Sequence, residues 1–122
     1  MKVGEYARLK NGYIDKIEEL KLQTKYTKYN KLLFEHKVVE CLFSDEELKQ
    51  IKSSTNIMDL IEENDYIRTI NDTDFRRVYM SYGKLVIEKH GLELSIKKLK
   101  LAEIITSQQF PQMKYRVESE VN

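Results

Sequence analysis

Residues 3–12 read VGEYARLKNG, and sixty positions later a worn echo, ENDYIRTIND, fills residues 63–72. Tyr6 is matched by Tyr66, Arg8 by Arg68 and Asn11 by Asn71, and an acid, Glu5 or Asp65, precedes each tyrosine. In a chain of 122 residues this offset leaves each copy about 60 residues, room for one small core apiece. Gly4 and Asn64 stand at the same place in the two copies. They are the residue types that most readily take positive φ, so a bulge or tight bend is predicted before each first strand.

A second pair of segments strengthens the repeat. In SDEELKQIK, residues 44–52, Ser44 and Glu47 have the spacing of a capping box, in which hydroxyl and carboxylate satisfy each other's backbone amides. TSQQFPQMK, residues 106–114, repeats the spacing with Thr106 and Gln109. Phe110 then answers Leu48, Met113 answers Ile51 and Lys114 answers Lys52, and each box follows an apolar pair, Leu42-Phe43 or Ile104-Ile105. Both halves are therefore expected to close with strand, capped turn, strand.

Between these landmarks the text is mainly β. Val3, Tyr6, Tyr13, Ile14 and Ile17 are strand formers around the turn dipeptide Asn11-Gly12. Leu33, Phe34, Val38, Val39, Leu42 and Phe43 favour two more strands with a turn near His36-Lys37. FRRVYMS, KLVIEK and LELSIKKLKL, separated by Tyr82-Gly83 and His90-Gly91, read as a three-strand meander. Alternation places Val78, Met80, Leu85, Ile87, Leu92, Leu94 and Ile96 on one face, and Arg77, Tyr79, Val86 and Lys97 on the other. SSTNIMDLIEEND reads as a connector with one short helix capped near Thr55 or Asn56, its Ile57, Leu60 and Ile61 sharing a face.

Five short strands with a helical turn before the last describe a small SH3-like barrel. The expected fold is mainly β: two tandem SH3-like barrels, residues 1–53 and 65–122, joined by a connector at 54–64. The competing reading makes 37–62 and 93–114 long helices of a single α+β domain.

MKVGEYARLKNGYIDKI, STNIMDLIEENDYI and the closing IITSQQFPQMKYRV together resemble a family of small proteins encoded by phages and prophages of Gram-positive bacteria. Members open with KVGDYxRTKNG, carry NIIDLIEVGDYV mid-chain and finish with TKEQFE and YRV. Asn64 stands where the family has glycine, and the likeness fades through 18–52 and 70–100. The resemblance implies a small accessory protein that binds host machinery, including defence systems, and so an anti-CRISPR or similar counter-defence role.

The remaining chemistry is sparse. Net charge is +1, from 21 basic and 20 acidic side chains, which supplies no global pull toward nucleic acid. Cys41 is the sole cysteine, which excludes an internal disulfide and fits a reducing compartment. No apolar run approaches the length of a membrane span. The expectation is a host-cytoplasmic protein without membrane attachment. His36 and His90 fall at predicted turns without ligand spacing to Cys41, which sits in the apolar run VVECLF. No phosphate-binding loop, nucleophile elbow or paired-histidine metal motif is present. The sequence predicts no catalytic, cofactor-binding or metal-ligating residues and hence no enzyme.

Candidate partner-binding residues come from three segments. KLQTKYTKYNK, residues 21–31, offers Lys25, Tyr26, Lys28 and Tyr29, lysines for phosphates and tyrosines for base stacking. The stretch Asp45–Asp65 holds seven acids against two lysines, and Asp59, Glu62 and Glu63 beside Ile57, Met58 and Leu60 could enter a basic groove. Arg76, Arg77 and Tyr79 supply arginine and aromatic anchors in the meander, within a basic group that includes Lys84, Lys97, Lys98 and Lys100. The partner expected from the resemblance is a host protein or ribonucleoprotein complex. Direct nucleic-acid binding is the alternative.

Overall fold

The computed structural model describes residues 1–109, and its chain divides into two compact units, Met1–Leu60 and Ile61–Asn122. Both are mainly β, built from small open antiparallel sheets.

The first unit runs β1 (Tyr6–Arg8), β2 (Ile14–Lys21), β3 (Asn30–Phe34), β4 (Lys37–Phe43), helix α1 (Asp45–Lys49), β5 (Lys52–Ser54) and a 3₁₀ turn, Ile57–Leu60. Its strands lie in the order β4-β3-β2-β1-β5. Asn11-Gly12 turns the first hairpin as expected: Gly12 has φ +89°, and the Tyr13 amide donates to the Asn11 side chain at 3.1 Å. Inward positions of β1, β2 and β3, with Leu9 just beyond β1, supply the core, Ala7, Leu9, Ile17, Leu32 and Phe34, with the Tyr13 ring edge-on to Phe34 at 5.8 Å. Each large apolar side chain buried this way contributes roughly 1.5–3 kcal/mol.

Ser44 caps α1 with the full reciprocal box. The Ser44 oxygen accepts from the Glu47 amide at 3.2 Å and the Glu47 carboxylate from the Ser44 amide at 3.1 Å. Asn56 starts the 3₁₀ turn, accepting from the Met58 amide at 3.0 Å. Buried Arg8 reaches from β1 to that turn and donates to the Leu60 carbonyl at 2.9 Å.

The second unit runs β6 (Tyr66–Thr69), β7 (Arg76–Arg77), β8 (Tyr79–Ser81), β9 (Lys84–Lys89), β10 (Leu92–Ser95), a 3₁₀ turn (Ile96–Lys98) and β11 (Leu101–Ile105). Two three-stranded sheets result, β10-β9-β8 and β11-β6-β7. The meander is present. Tyr82-Gly83 (φ +50° and +74°) and His90-Gly91 (φ +54° and +77°) both take the double positive φ that closes two-residue hairpins. Ile67, Val78, Val86, Ile87 and Ile96 are buried here.

One hydrogen-bond pattern recurs. The Gly4 amide donates to the Ile17 carbonyl at 2.8 Å and the Ile17 amide to the Glu5 carbonyl at 2.8 Å. The Asn64 amide donates to the Val78 carbonyl at 2.8 Å and the Val78 amide to the Asp65 carbonyl at 2.7 Å. Gly4 has φ +92° and Asn64 φ +73°, so the predicted bend exists in both copies.

Several expectations need correction. The stretches 37–62 and 93–109 hold strands and short helical turns, not long helices, because the residues flanking α1 and the Ile96–Lys98 turn pair in sheets, β4 with β3, β5 with β1, β10 with β9 and β11 with β6; residues 110–114 lie outside the described residues. The Thr106 turn is not the counterpart of α1. The strand that pairs with β6 is β11, which precedes the Thr106 turn, whereas the strand that pairs with β1 is β5, which follows α1. Only half of its box forms: the Thr106 amide donates to the Gln109 side chain at 3.2 Å, and the buried Thr106 hydroxyl finds no partner among the described residues. Phe110, Met113, Lys114 and the closing YRV fall outside the described residues.

The face assignments also shift. Met80 and Leu92 are exposed because they sit beside hairpin tips, beyond the core, while Val86 joins Ile87 in burial on the central strand β9. Val38 and Val39 are exposed and Cys41 is half-buried. Between the pairs Leu32↔Cys41 and Phe34↔Lys37, β4 spends three residues, Val38 to Glu40, against Leu33 alone. The excess bows outward as a bulge.

Candidate macromolecular contact surfaces

Lys25, Tyr26, Lys28 and Tyr29 lie together on the tip of the hairpin joining β2 to β3. The tip is built, not slack. The Thr24 amide donates to the Thr27 hydroxyl at 3.0 Å, the two hydroxyls lie 3.1 Å apart, and the Tyr26 amide donates to the Thr24 hydroxyl at 3.2 Å. At its base Asn30, 1% exposed, accepts from the Gln23 amide at 2.8 Å and donates to the Phe43 carbonyl and to Asp45 at 3.2 and 2.9 Å. Tyr26 stands 85% exposed with the Lys25 ammonium 5.2 Å from its ring centre, and Tyr29 is 51% exposed.

The acidic stretch is divided between the two units, Asp45 to Asp59 in the first and Glu62 to Asp65 in the second. Asp45 bonds Asn30, Glu47 caps α1, and Asp59 accepts from the Ser54 hydroxyl at 2.6 Å. Asp65 is fully buried, its carboxylate accepting from the Glu62 amide at 2.7 Å and the Ser107 amide at 2.8 Å. Glu62 is half-buried and itself engaged, while Glu63 is exposed. Four of the seven acids, Asp45, Glu47, Asp59 and Asp65, are thus tied into hydrogen bonds within the fold, which weakens the reading of the stretch as a phosphate mimic.

Arg76, Arg77 and Tyr79 are close in sequence and separate in role. Arg76 turns to Asp72 at 3.0 Å, with Lys89 3.7 Å from the same carboxylate. The Arg76 bond, the Asp74 amide and these cations together hold Asp72 at about 2, against the opposing pull of desolvation. Arg77 is exposed, donates to the Asn64 side chain at 2.9 Å and lies 5.6 Å over the Tyr79 ring. The Tyr79 hydroxyl donates to Glu93 at 2.8 Å, a bond that raises its pKa, and Glu93 also accepts from Ser81 at 2.8 Å. Lys97 and Lys98 sit on the 3₁₀ turn and are both exposed, so the strand-like split between opposite faces does not apply.

One cluster had no signal in the sequence. Asp15, on β2, is buried, and each of its oxygens accepts two hydrogen bonds. One takes the Lys16 amide at 2.7 Å and the His36 Nδ1 at 2.9 Å; the other takes the Tyr13 hydroxyl at 2.6 Å and the His36 amide at 2.8 Å. Burial pushes the Asp15 carboxyl up, but the bonds from Tyr13, His36 and the amides outweigh it, and the net shift is down. Burial, then Asp15, pushes the Tyr13 phenol well above its usual range, and the Asp15 bond raises His36. Asp15, Glu35 and His36 bring one donor atom each within 4.8 Å. The four donors already on Asp15 make the arrangement an anchor for the β3–β4 turn. Asp15 and His36 are 21 positions apart, too far for any local motif to reveal.

Among the described residues no helix is long and apolar enough to cross a membrane. Comparison with protein-family models, with curated proteins and with solved structures finds no match to this chain.

Proposed function

We propose that this chain is a non-enzymatic phage or prophage accessory protein that binds and inhibits a host macromolecular complex, with anti-CRISPR counter-defence as its setting. It acts in the host cytoplasm through two tandem SH3-like units. The SH3-like reading is supported by two features common to both units. Among the described residues a helical turn precedes the last strand of each unit (α1 before β5, the Ile96–Lys98 turn before β11), and the first strand pairs with both its neighbour and that last strand. The phage setting is supported by the segments that resemble that protein family.

One observation carries the binding reading: each unit holds a tyrosine out at a hairpin tip of defined geometry. Tyr26 is 85% exposed and Tyr82 99% exposed. A large aromatic side chain left in water does nothing for its own fold, and aromatic side chains dominate binding hot spots. Expression of the protein in a host with an active CRISPR locus is expected to restore plaque formation by a targeted phage. Tyr26→Ala with Tyr82→Ala is expected to weaken capture of the host complex by about tenfold or more. Full targeting in the presence of the protein, with no complex captured, would contradict the proposal.

A further inference from the structure

The β2–β3 hairpin carries four lysines and two tyrosines between residues 21 and 31, with no acid. Lys21 and Lys31 stand directly opposite each other on the ladder, a like-charge pair that opposes strand pairing on its own. Each has one acid to lean on, Glu19 at 3.2 Å for Lys21 and Glu40 at 3.9 Å for Lys31. Lys25 and Lys28, further out, have no carboxylate partner among the described residues. Positive charge therefore rises toward the tip, where the two tyrosine rings are open to solvent.

Charge alone would suit any anion. The rings narrow the choice, because an exposed aromatic ring beside an ammonium with no carboxylate partner among the described residues offers stacking and phosphate neutralisation within one residue step, as between Lys25 and Tyr26. Base faces are accessible only when unstacked, which selects single strands over duplex. The Thr24–Thr27 bonds and the Asn30 base hold the tip in shape before any ligand arrives, so little ordering cost opposes binding.

We propose that this tip binds single-stranded nucleic acid, with Lys25 and Lys28 on backbone phosphates and Tyr26 and Tyr29 stacked on successive bases. The inference rests on the reading of the tip as a contact surface and names the chemical class of what it contacts. The test is fluorescence anisotropy of the purified full chain with labelled oligo-dT and oligo-U, a duplex of equal length, and a polyglutamate peptide, over a salt series. Single strands are expected to bind more tightly than duplex or peptide. Tyr26→Ala and Tyr29→Ala should each weaken binding about tenfold. Lys25→Gln with Lys28→Gln should flatten the slope of log affinity against log salt by about 1.4, at about 0.7 per phosphate.

These side chains are exposed, so the variants should fold, and circular dichroism checks that they do. Absence of binding at low salt, equal affinity for the duplex or peptide, or indifference to both tyrosine substitutions would overturn the inference. Should Tyr26→Ala abolish capture of a host complex while no oligonucleotide binds, the inference falls and the proposed function stands.

Discussion

The two units treat the same position differently, and the difference separates scaffold from surface. Glu5 and Asp65 both follow a positive-φ residue and both lend a carbonyl to the reciprocal bond with Ile17 or Val78. Asp65 is fully buried, and its carboxylate binds two backbone amides of its unit. The Glu5 carboxylate instead lies 3.7 Å from the chain's amino terminus, with one oxygen lacking a hydrogen-bond partner. The backbone pattern is common and the side-chain duty is not. The hairpins diverge further: Tyr82-Gly83 is a two-residue turn, whereas the β2–β3 connection runs from Leu22 to Tyr29.

The largest expected effect tests that contrast. Asp65→Ala strands two part-buried amides and should cost about 3 kcal/mol in urea denaturation, against less than about 1 kcal/mol for Glu5→Ala. Equal costs would erase the distinction between the two acids. Next is the bend itself. Gly4 has open space where a Cβ would go, so Gly4→Ala carries only the φ penalty, about 1 kcal/mol. Asn64→Ala should lose a similar amount plus the Arg77 contact, and Asn64→Gly should lose less than Asn64→Ala.

The Asp15–His36 anchor gives a smaller, pH-dependent signal confined to the first unit. His36 is raised above its ordinary 6.5 by its bond to Asp15, so its contribution is full below 6.5 and fades as pH rises through the raised value. Asp15 is lowered from 3.8, so its contribution holds above 3.8 and fades as pH falls through the lowered value. The Tm gap between the wild-type chain and His36→Gln should therefore be widest from about pH 4 to 6.5 and shrink at about pH 9. A gap that is flat or grows with pH contradicts the pairing. Smallest of all, Tyr26→Ala and Tyr82→Ala should change stability by less than about 0.5 kcal/mol, as fits side chains held for a partner and not for the fold.

The sequence made legible what short-range chemistry determines. Asn11-Gly12, Tyr82-Gly83 and His90-Gly91 announce their turns, Ser44 and Glu47 announce their cap, and Gly4 and Asn64 announce their bends, because each needs only neighbouring atoms. What stayed hidden depends on partners far along the chain. The exposure of Val38 and Val39 follows from a slip in register against β3, which no property of VVECLF encodes. Arg76 reads as a free anchor until Asp72 and Glu88 are seen around it. Lys97 and Lys98 continue a strand-like pattern, yet burial of Ile96 is achieved by a 3₁₀ turn. The Thr106 box misled for a related reason: spacing specifies a cap but not the place of that cap in the strand order.

Amide hydrogen exchange at Gly4, Ile17, Asn64 and Val78 tests the shared backbone pattern most directly. Each of these amides donates in the reciprocal bonds, so all four should exchange slowly, while the exposed tip amides of Lys25 and Tyr82 exchange fast. Protection of one pair with tip-like exchange of the other would contradict the account, since the two units would then not be held by the same bond.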